Sequence, residues 1–402
     1  MSGEASGSTT TITGFEIFEC DLGWRYISFL KLTASNGVVG WSEFNEPFGA
    51  PGLGAVIGAL RGRILGADPR NINEIVGTLV ALLSPSPGGV NREAIGAIEN
   101  ALFDLKARLL DVSVAELLGG ALRTRIPMYW SHCGNYRQGG LAAVVGAPQL
   151  TSYADVTELG REVVSRGFHG LKTNVITFDD EEVGGRPFGW ARHPSASGRD
   201  YDDRMLDQTV STLAAFRDGV GPQLRIHLDV NYNYLVDGYR RVATAVAPYQ
   251  LTWLELDGVE PGALAQLRQY SSTPIASGES LFGAQQYLPY FEARALDVAI
   301  VDVIWNGIGE ATRIAQLAGT FGASVAPHNF YGPLATAMSA HFSAVAPNLA
   351  ELELDVDGVP WRDELVTTPP RVVDGFLEVP DGPGWGVEPI EDVIRAHPRH
   401  AA

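Results

Sequence analysis

LRIHLDVN, residues 224–231, is the first of five similar segments that lie between Leu224 and Tyr331. Each segment is a short apolar run that ends on an acid or a histidine and is followed by a stretch with a helical pattern. The other four are LTWLEL (251–256), TPIASGES (273–280), LDVAIVDV (296–303) and GASVAPHN (322–329). Their polar residues, spaced 26, 24, 23 and 26 positions apart, are Asp229, Glu255, Glu279, Asp302 and His328. Because one strand plus one crossover helix fills such an interval, the repeat predicts a βα barrel.

In parallel barrels the chemistry lies at the carboxyl ends of the strands, so polar residues that end these runs are expected to converge. Three converging carboxylates, those of Asp229, Glu255 and Glu279, repel one another strongly unless a cation lies between them. Ligands that are all oxygen favour Mg²⁺, with Mn²⁺ as a substitute, over Zn²⁺. The sequence therefore predicts one magnesium ion in each barrel.

A second interpretation is that each acid caps the helix after its strand, since Asp and Glu are common near helix starts. For a single acid the two interpretations have about equal weight. Three acids at matching positions, with a lysine and a histidine in the same register, favour a shared site. His328 follows Asp302 by one barrel unit, which favours an acid/base pair in which the acid orients the imidazole.

Three further strands complete the expected barrel. We expect the first at residues 126–134 and the second in GLKTNV, where Lys172 and Asn174 point to the same side because they are two positions apart. A buried lysine beside carboxylates is costly to desolvate without a partner, so we interpret Lys172 as catalytic. The last strand, in AELELDV, places Glu353 at the barrel mouth. The candidate substrate contacts of the barrel are Asn174, Asn231 and Glu353.

The N-terminal part of the chain has a different pattern. Residues 11–44 alternate in polarity as antiparallel hairpins do, and residues 55–120 have helical periodicity. A sheet followed by helices is typical of an α+β domain.

A polar segment, residues 175–203, delays the helix that is expected after the Lys172 strand. It is too long for an ordinary βα loop, and it leaves its strand at the rim that carries the polar residues. We expect a lid over the substrate or, as the alternative, a surface excursion or an oligomer contact. The candidate lid side chains are Arg186, Trp190, Arg192 and His193.

Composition excludes several classes of partner. The 402-residue chain is 45% hydrophobic and has a formal net charge of −18 without a basic stripe, which argues against nucleic acid. No apolar run approaches the length of a membrane span. The polar start of the chain predicts a disordered leader and no signal peptide, so a cytoplasmic location is the default expectation. Cys20 and Cys133 lack metal-type spacing, and we expect both to be reduced and structural.

These features resemble the enolase superfamily, specifically its mandelate racemase-like branch and the acid-sugar dehydratase type within it. The shared motifs are GLKTN, HLDVN, WLEL, ASGES, IVDVIWNGIG and APHNFYG, with AIENALFDLKARLLDVSVAELLGG before them and DGPGWGVE after them. The resemblance implies an α/β fold, a (β/α)7β TIM-like barrel with an N-terminal α+β capping domain. By that resemblance the cap is residues 11–125 and the barrel residues 126–360, with a leader at 1–10 and a C-terminal segment, 361–402, that returns to the cap.

The family also implies functional roles. Two loops of the cap, at about Asp21–Tyr26 and Asn45–Gly54, are expected to close over the barrel mouth and to offer Trp24 and Phe48 as walls. The alternative is that these two rings pack on the cap itself. Lys172 is expected to neutralise the carboxylate of a small substrate, and we expect a homo-oligomer.

Three departures from the family pattern bear on the reaction. Asn174 stands where a second lysine usually supplies a second base, so two-base racemisation is the weaker hypothesis. Leu256 and Asp257 replace the Glu and Pro that usually follow the metal-binding glutamate. Asp302 falls near the position where the muconate cycloisomerase branch carries a lysine, which argues against that branch.

We therefore expect a Mg²⁺-dependent hydro-lyase that dehydrates an aldonic or aldaric acid to a 2-keto-3-deoxy acid through an enediolate. The catalytic residues are expected to be Lys172, His328 and Asp302. If His328 is the only base, elimination is syn, whereas a Lys172 base with a His328 acid makes it anti. The alternatives are a racemase or epimerase of a 2-hydroxy acid and a catalytically silent barrel that binds a metabolite.

Overall fold

The computed structural model of this chain describes residues 10–178, 182–183, 186–187, 199–200 and 203–399. At 182–183 and 186–187 it describes the backbone alone. The four candidate lid side chains therefore lie outside the described residues, and the lid stays a prediction.

The N-terminal part of the chain is a sheet covered by helices. Its antiparallel strands, adjacent in chain order, are β1 (Ile12–Asp21), β2 (Tyr26–Ala34) and β3 (Val39–Phe44). The helices are α1 (Leu53–Leu60), α2 (Ile72–Leu82), α3 (Val90–Leu109) and α4 (Val114–Leu117). The apolar stripe of α3, which includes Ile98 and Leu102, is buried against the sheet. A Cβ at Gly40 of β3 would lie 2.4 Å from the Leu105 Cβ, so glycine permits the close approach of strand and helix.

The remaining strands are, in chain order, β4 (Arg125–Ser131), β5 (Gly170–Thr173), β6 (Glu182–Val183), β7 (Arg186–Pro187), β8 (Arg225–Asp229), β9 (Trp253–Glu255), β10 (Ile275–Ser277), β11 (Val298–Asp302), β12 (Ser324–His328), β13 (Leu352–Asp355), β14 (Val372–Val373) and β15 (Phe376–Glu378). Eight of them form the barrel, in the parallel order β12-β11-β10-β9-β8-β5-β4-β13. A parallel bridge between Val325 and Leu349 joins the two ends of this sheet. The predicted TIM-like barrel is confirmed.

The helices that follow are α5 (Leu141–Val144), α6 (Tyr153–Ser165), α7 (Asp203–Val220), α8 (Val236–Val246), α9 (Pro261–Tyr270), α10 (Gly283–Glu292), α11 (Val303–Asn306), α12 (Ile308–Thr320), α13 (Pro333–Val345) and α14 (Glu391–Ala396). The strand β13 is followed by a single 3-10 turn, Arg362–Leu365, where an ideal barrel has its last helix. This is the (β/α)7β arrangement. Among the described residues, no helix is both long enough and apolar enough to cross a membrane.

The first barrel strand is shorter than the predicted range 126–134. It ends at Ser131 because the next residues turn: His132 has φ 46° and Gly134 has φ 89°. The strand also serves two sheets. Its second half pairs with β13 in parallel, and its first three residues pair with β15 in antiparallel fashion.

The cap helix α3 is docked on the barrel beside α11. The side chain of Asn100 donates a hydrogen bond to the Val303 carbonyl (3.0 Å) and accepts one from the Ile308 N–H (2.8 Å). A Cβ at Gly96 would lie 2.6 Å from the Trp305 carbonyl oxygen, so the two backbones touch. This contact fixes α3 against the segment that follows β11.

The C-terminal segment contacts the cap at two places. The indole N–H of Trp385 donates to the Trp41 carbonyl (2.8 Å), and the Asp21 N–H donates to the His397 carbonyl (2.9 Å). In both bonds the cap contributes a backbone group of one of its strands, so the segment ties the cap to the outside of the barrel.

Glu43, in β3, joins the cap to helix α13. Its carboxylate accepts hydrogen bonds from the N–H groups of Gly332 (2.6 Å) and Ala335 (3.0 Å), at a helix N-terminus that favours negative charge. Burial nevertheless raises the pKa of Glu43 to about 7, against the effect of these N–H groups and of Arg25. Glu43 is thus a pH-sensitive link between the two domains.

Replacing Glu43 with Gln is expected to change how stability depends on pH. An acid with a raised pKa in the folded state contributes stability that is complete below its unfolded pKa of 4.5 and is lost as the pH rises through about 7. The difference in free energy of unfolding between wild type and Glu43→Gln should therefore fall by on the order of 3 kcal/mol over this range. Denaturant unfolding at several pH values measures it, with Glu74→Gln, an exposed cap acid, as the control. Parallel curves for wild type and Glu43→Gln would contradict the expectation.

Candidate active site

Three carboxylates meet at the carboxyl ends of neighbouring strands. Asp229 ends β8 and Glu255 ends β9, and the strand register places them side by side. Glu279 lies two residues beyond β10, where Gly278 (φ 115°) turns the chain; a Cβ there would lie 2.9 Å from the Tyr287 ring. One oxygen from each acid lies within 4.8 Å of the others.

The chemistry of this triad fits a hard divalent cation. Glu255 is fully buried, and within the described part of the chain its Oε1 has no hydrogen-bond partner. Burial is the main reason that the pKa values of Glu255 and Glu279 are raised, and the neighbouring Asp229 carboxylate raises both further. An unpaired buried carboxylate oxygen is costly unless a cation binds it. The ligands of a magnesium ion here would be Asp229, Glu255 and Glu279.

His328 and Asp302 form a hydrogen-bonded pair on one side of the triad. The register of β11 and β12 places them directly opposite each other, and His328 Nδ1 lies 2.7 Å from Asp302 Oδ2. The hydroxyl of Tyr331 (2.5 Å) and the N–H of Trp305 (2.8 Å) donate to the same carboxylate. His328 Nε2 is left pointing toward the triad, 3.4 Å from an oxygen of Glu279. Burial alone would lower the pKa of His328, but the carboxylates of Glu279 and Asp302 outweigh it and raise the pKa to about 10.

Lys172 is held as a cation on the other side of the triad. Its ammonium lies 2.8 Å from Glu353 Oε1 and 3.2 Å from Glu255 Oε2, and the side chain is buried. Burial would lower the pKa of Lys172, but these two carboxylates raise it well above its usual value. Glu353 also accepts hydrogen bonds from the Ser131 hydroxyl and the Asn329 N–H. It is therefore fixed as a permanent counter-ion.

A cavity of about 470 Å³ opens over these groups. The predicted site residues that line it are Phe48, Lys172, Asn174, Asp229, Asn231, Glu279 and His328. Asn174 lines the cavity, but its side-chain amide is already engaged, because Nδ2 donates a hydrogen bond to the Asp229 carbonyl (3.1 Å). The structure thus brings most of the predicted set together on one surface.

Two predicted substrate contacts lie elsewhere. Glu353 is fully buried and lies behind Lys172, not at the barrel mouth, because the lysine ammonium and two further donors hold its carboxylate. Trp24 stands behind the cavity wall, with its ring 4.6 Å from that of Tyr136 and 6.1 Å from that of Phe48. Trp24 therefore contacts two of the rings that line the cavity without lining it itself.

The first cap loop is fastened to the barrel mouth by Arg25. The guanidinium forms a buried ion pair with Asp355 (3.0 Å) and donates a hydrogen bond to the Phe330 carbonyl. The second loop brings the Phe48 ring within 5.4 Å of the Phe330 ring. Both predicted loops therefore lie over the carboxyl ends of the strands.

Several cavity or site residues were not predicted. Asp257, which departs from the family pattern, accepts hydrogen bonds from Gly278 N–H (2.8 Å) and the Ser277 hydroxyl (3.1 Å) and so positions the loop that carries Glu279. Tyr331 lies within the APHNFYG motif, and that motif was the available signal for it. Other unpredicted residues that line the cavity are Glu93, His132, Tyr136, Tyr232, Phe282 and Trp305.

Comparison with known proteins gives the family. The model of the mandelate racemase / muconate lactonizing enzyme N-terminal domain matches residues 23–119, and the enolase C-terminal domain-like model matches residues 155–393. The chain belongs to the enolase superfamily, in its mandelate racemase branch. The resemblance inferred from the motifs is confirmed.

Relatives within this superfamily have different reactions. A D-gluconate dehydratase of Thermoproteus tenax is 31% identical over 94% of this chain and 71% of its own length. A D-galactarolactone cycloisomerase of Agrobacterium fabrum is 26% identical over 95% and 94% of the two chains. A candidate L-alanine-DL-glutamate epimerase of Burkholderia xenovorans strain LB400 is 42% identical in solved structures that cover 96% of this chain and 98% or 96% of that chain, with a TM-score of 0.92. One of these structures contains magnesium and fumarate.

Removing any one acid of the triad is expected to weaken magnesium binding and to abolish activity. Asp229→Asn, Glu255→Gln and Glu279→Gln each delete one anionic ligand, so the stabilisation of the fold by added Mg²⁺ should shrink or vanish. Thermal unfolding with and without Mg²⁺ measures this directly, and Asp237→Asn, an exposed acid at the start of α8, is the control. Full activity in excess EDTA would refute the metal site.

Proposed function

We propose that this enzyme dehydrates an aldonic or aldaric acid in a Mg²⁺-dependent reaction and releases a 2-keto-3-deoxy acid. The main support for this proposal is that the two sides of the site differ in their ability to transfer a proton. His328, on β12, faces the cavity with a ring nitrogen that can exchange a proton. At the carboxyl end of β5 stand Lys172, which two carboxylates bind, and Asn174, the residue after the strand. Among these groups His328 alone is suited to move a proton, and a single base suits elimination better than racemisation, which needs a base on each face.

The reaction begins with the loss of the proton next to the substrate carboxylate. A magnesium ion held by Asp229, Glu255 and Glu279 would supply positive charge at that carboxylate, where negative charge develops. The Lys172 ammonium provides a second positive charge, which Glu353 keeps in place throughout. A cation held by Glu279 would offset the negative charge that raises the pKa of His328, so that the imidazole can be neutral when the substrate binds. His328 Nε2 then accepts the proton, and the Asp302 carboxylate stabilises the imidazolium through Nδ1.

The second half of the reaction uses the same histidine. The imidazolium of His328 donates its proton to the 3-hydroxyl group, the bond between that oxygen and C3 breaks, and water leaves. The electron pair of the enediolate forms the new double bond between C2 and C3. The resulting enol then tautomerises to the 2-keto-3-deoxy acid. Because one residue both takes and returns the proton, the elimination is syn.

Epimerisation is the second candidate function, since the relative from Burkholderia xenovorans is a candidate epimerase. An epimerase exchanges the α-proton without losing water, so it needs a second proton donor on the face opposite His328. His132 lines the same cavity and stands beside Asp355 (3.5 Å), which makes it the residue to examine under this alternative.

The test of the proposed function is a screen of aldonic and aldaric acids with Mg²⁺, in which 2-keto acid formation and α-proton exchange in D₂O are read together. A dehydratase yields 2-keto acid from one or a few of these compounds. Exchange without loss of water would establish the epimerase or racemase instead. No reaction with any acid sugar or 2-hydroxy acid would support a barrel that only binds a metabolite.

The single-histidine mechanism makes a sharper prediction about variants. His328→Asn should lose both dehydration and α-proton exchange, by several orders of magnitude, because no other group takes the proton. Asp302→Asn should be impaired in both to a smaller degree, since the imidazole loses its orienting anion. His169→Asn, a change at an exposed histidine, is the control.

Retention of exchange by His328→Asn, or anti elimination by the wild type, would make Lys172 the base and overturn this mechanism. The relative orientation of the C2–H and C3–OH bonds is read from a crystal structure of the His328→Asn variant with bound substrate.

A further inference from the structure

Glu93 brings a carboxyl group from the cap into the active-site cavity. Its side chain lines the cavity although it belongs to helix α3, and only 5% of the residue is exposed. Within the described residues its Oε2 atom has no hydrogen-bond partner. A buried acid with an open oxygen is costly, so this position calls for a ligand.

The position of Glu93 is fixed by the docking of α3. Glu93, Gly96 and Asn100 lie three and seven positions apart and so share one face of the helix. On that face the Gly96 backbone touches the Trp305 carbonyl, and the Asn100 side chain is hydrogen-bonded to backbone groups of the first residues of α11 and α12. The helix cannot turn the Glu93 side chain away from the cavity without breaking these contacts.

Trp305 supplies a second open polar group in the same cavity. In the described part of the chain its indole Nε1 is buried without a hydrogen-bond partner. The ring stands edge-on to the His328 ring, with centroids 5.4 Å apart, and stacks on Phe282 at 6.1 Å. Two residues that line the cavity, Glu93 and Trp305, thus carry a carboxyl oxygen and an indole N–H that are buried without a partner among the described residues.

The Glu93 carboxyl and the Trp305 indole N–H are suited to hydrogen-bond a hydroxyl group of a ligand. Burial, and then the charge of Asp302, raise the pKa of Glu93 to about 8, so the carboxyl is mostly protonated at neutral pH and can both donate and accept. A hydroxyl group also donates and accepts, and its oxygen can take the indole N–H. An alkyl group would leave all of these atoms unpaired, and sites built for a hydroxyl reject such analogues strongly.

We propose that Glu93 and the indole N–H of Trp305 form a subsite that binds one hydroxyl group of the substrate beyond its third carbon. The subsite determines which polyhydroxy acids the enzyme accepts. This inference rests on the proposed function, because an acid sugar is the substrate that carries such hydroxyl groups.

Binding measurements test the subsite separately from turnover. The protein is the Mg²⁺-loaded His328→Asn variant, which does not consume its ligand, and the probes are D-gluconate and its analogues that each lack one hydroxyl beyond the third carbon. In this background Glu93→Leu should weaken D-gluconate binding roughly 10- to 100-fold. Trp305→Phe should weaken it less, and Glu93→Gln, which keeps a donor and an acceptor, should retain most of the affinity.

The decisive result is non-additivity with one analogue. The analogue that lacks the recognised hydroxyl should bind more weakly than D-gluconate to the protein that retains Glu93. The Glu93→Leu variant should bind this analogue and D-gluconate with the same affinity. Glu74→Leu, a matched change on an exposed face of the cap, should leave every affinity unchanged, and Mg²⁺ binding should be the same in all variants.

For each analogue, the loss of affinity relative to D-gluconate is compared between the protein that retains Glu93 and the Glu93→Leu variant. If this loss is the same in both proteins for every analogue, the subsite is overturned. The absence of any effect of Glu93→Leu on D-gluconate binding would overturn it as well. If non-additivity is found but the wild type dehydrates no acid sugar, the subsite stands and the proposed reaction fails. If neither aldonic nor aldaric acids bind, both are refuted.

Discussion

The mutual repulsion of Asp229, Glu255 and Glu279 is the constraint on which the rest of the site depends. Three carboxylates within 4.8 Å of one another, with one fully buried, need positive charge from their surroundings. The chain supplies part of it through Lys172, whose ammonium contacts Glu255, and the proposed divalent cation would supply the remainder. Because Glu353 holds the lysine from behind, the positive side of the site stays in place while a substrate enters and leaves.

The site also depends on the contact between cap and barrel. Helix α3 is packed on α11, the short helix that starts directly after Asp302, so any shift of the cap moves the backbone beside the proposed catalytic pair. Arg25 and Phe48 bring the two cap loops over the same rim. The cap residues proposed to recognise the substrate and the barrel residues proposed to move the proton are thus joined by direct packing contacts.

How far the sequence could predict this arrangement differs between residues. The strand-end acids and His328 could be predicted because a repeated strand–helix unit places each at the same depth on the barrel rim. Glu353 was expected at the mouth, since local pattern gives its strand but cannot show that Lys172 and Asn329 hold its carboxylate. The sequence could not predict a role for Glu93. The periodicity of a helix shows which of its faces is apolar, but it does not show which cavity an acid on that helix lines. Asp257 was noticed only as a departure, and its support of the Glu279 loop depends on a contact between neighbouring strands.

The three strand-end carboxylates are proposed to hold one divalent cation between Lys172 and His328. The most direct measurement is a crystal structure of the protein with Mn²⁺, with the ion located by its anomalous scattering. We predict a single strong peak roughly 2.1 Å from one oxygen each of Asp229, Glu255 and Glu279. A protein that dehydrates its substrate but shows no peak at this triad, or binds the ion at other residues, would contradict the account.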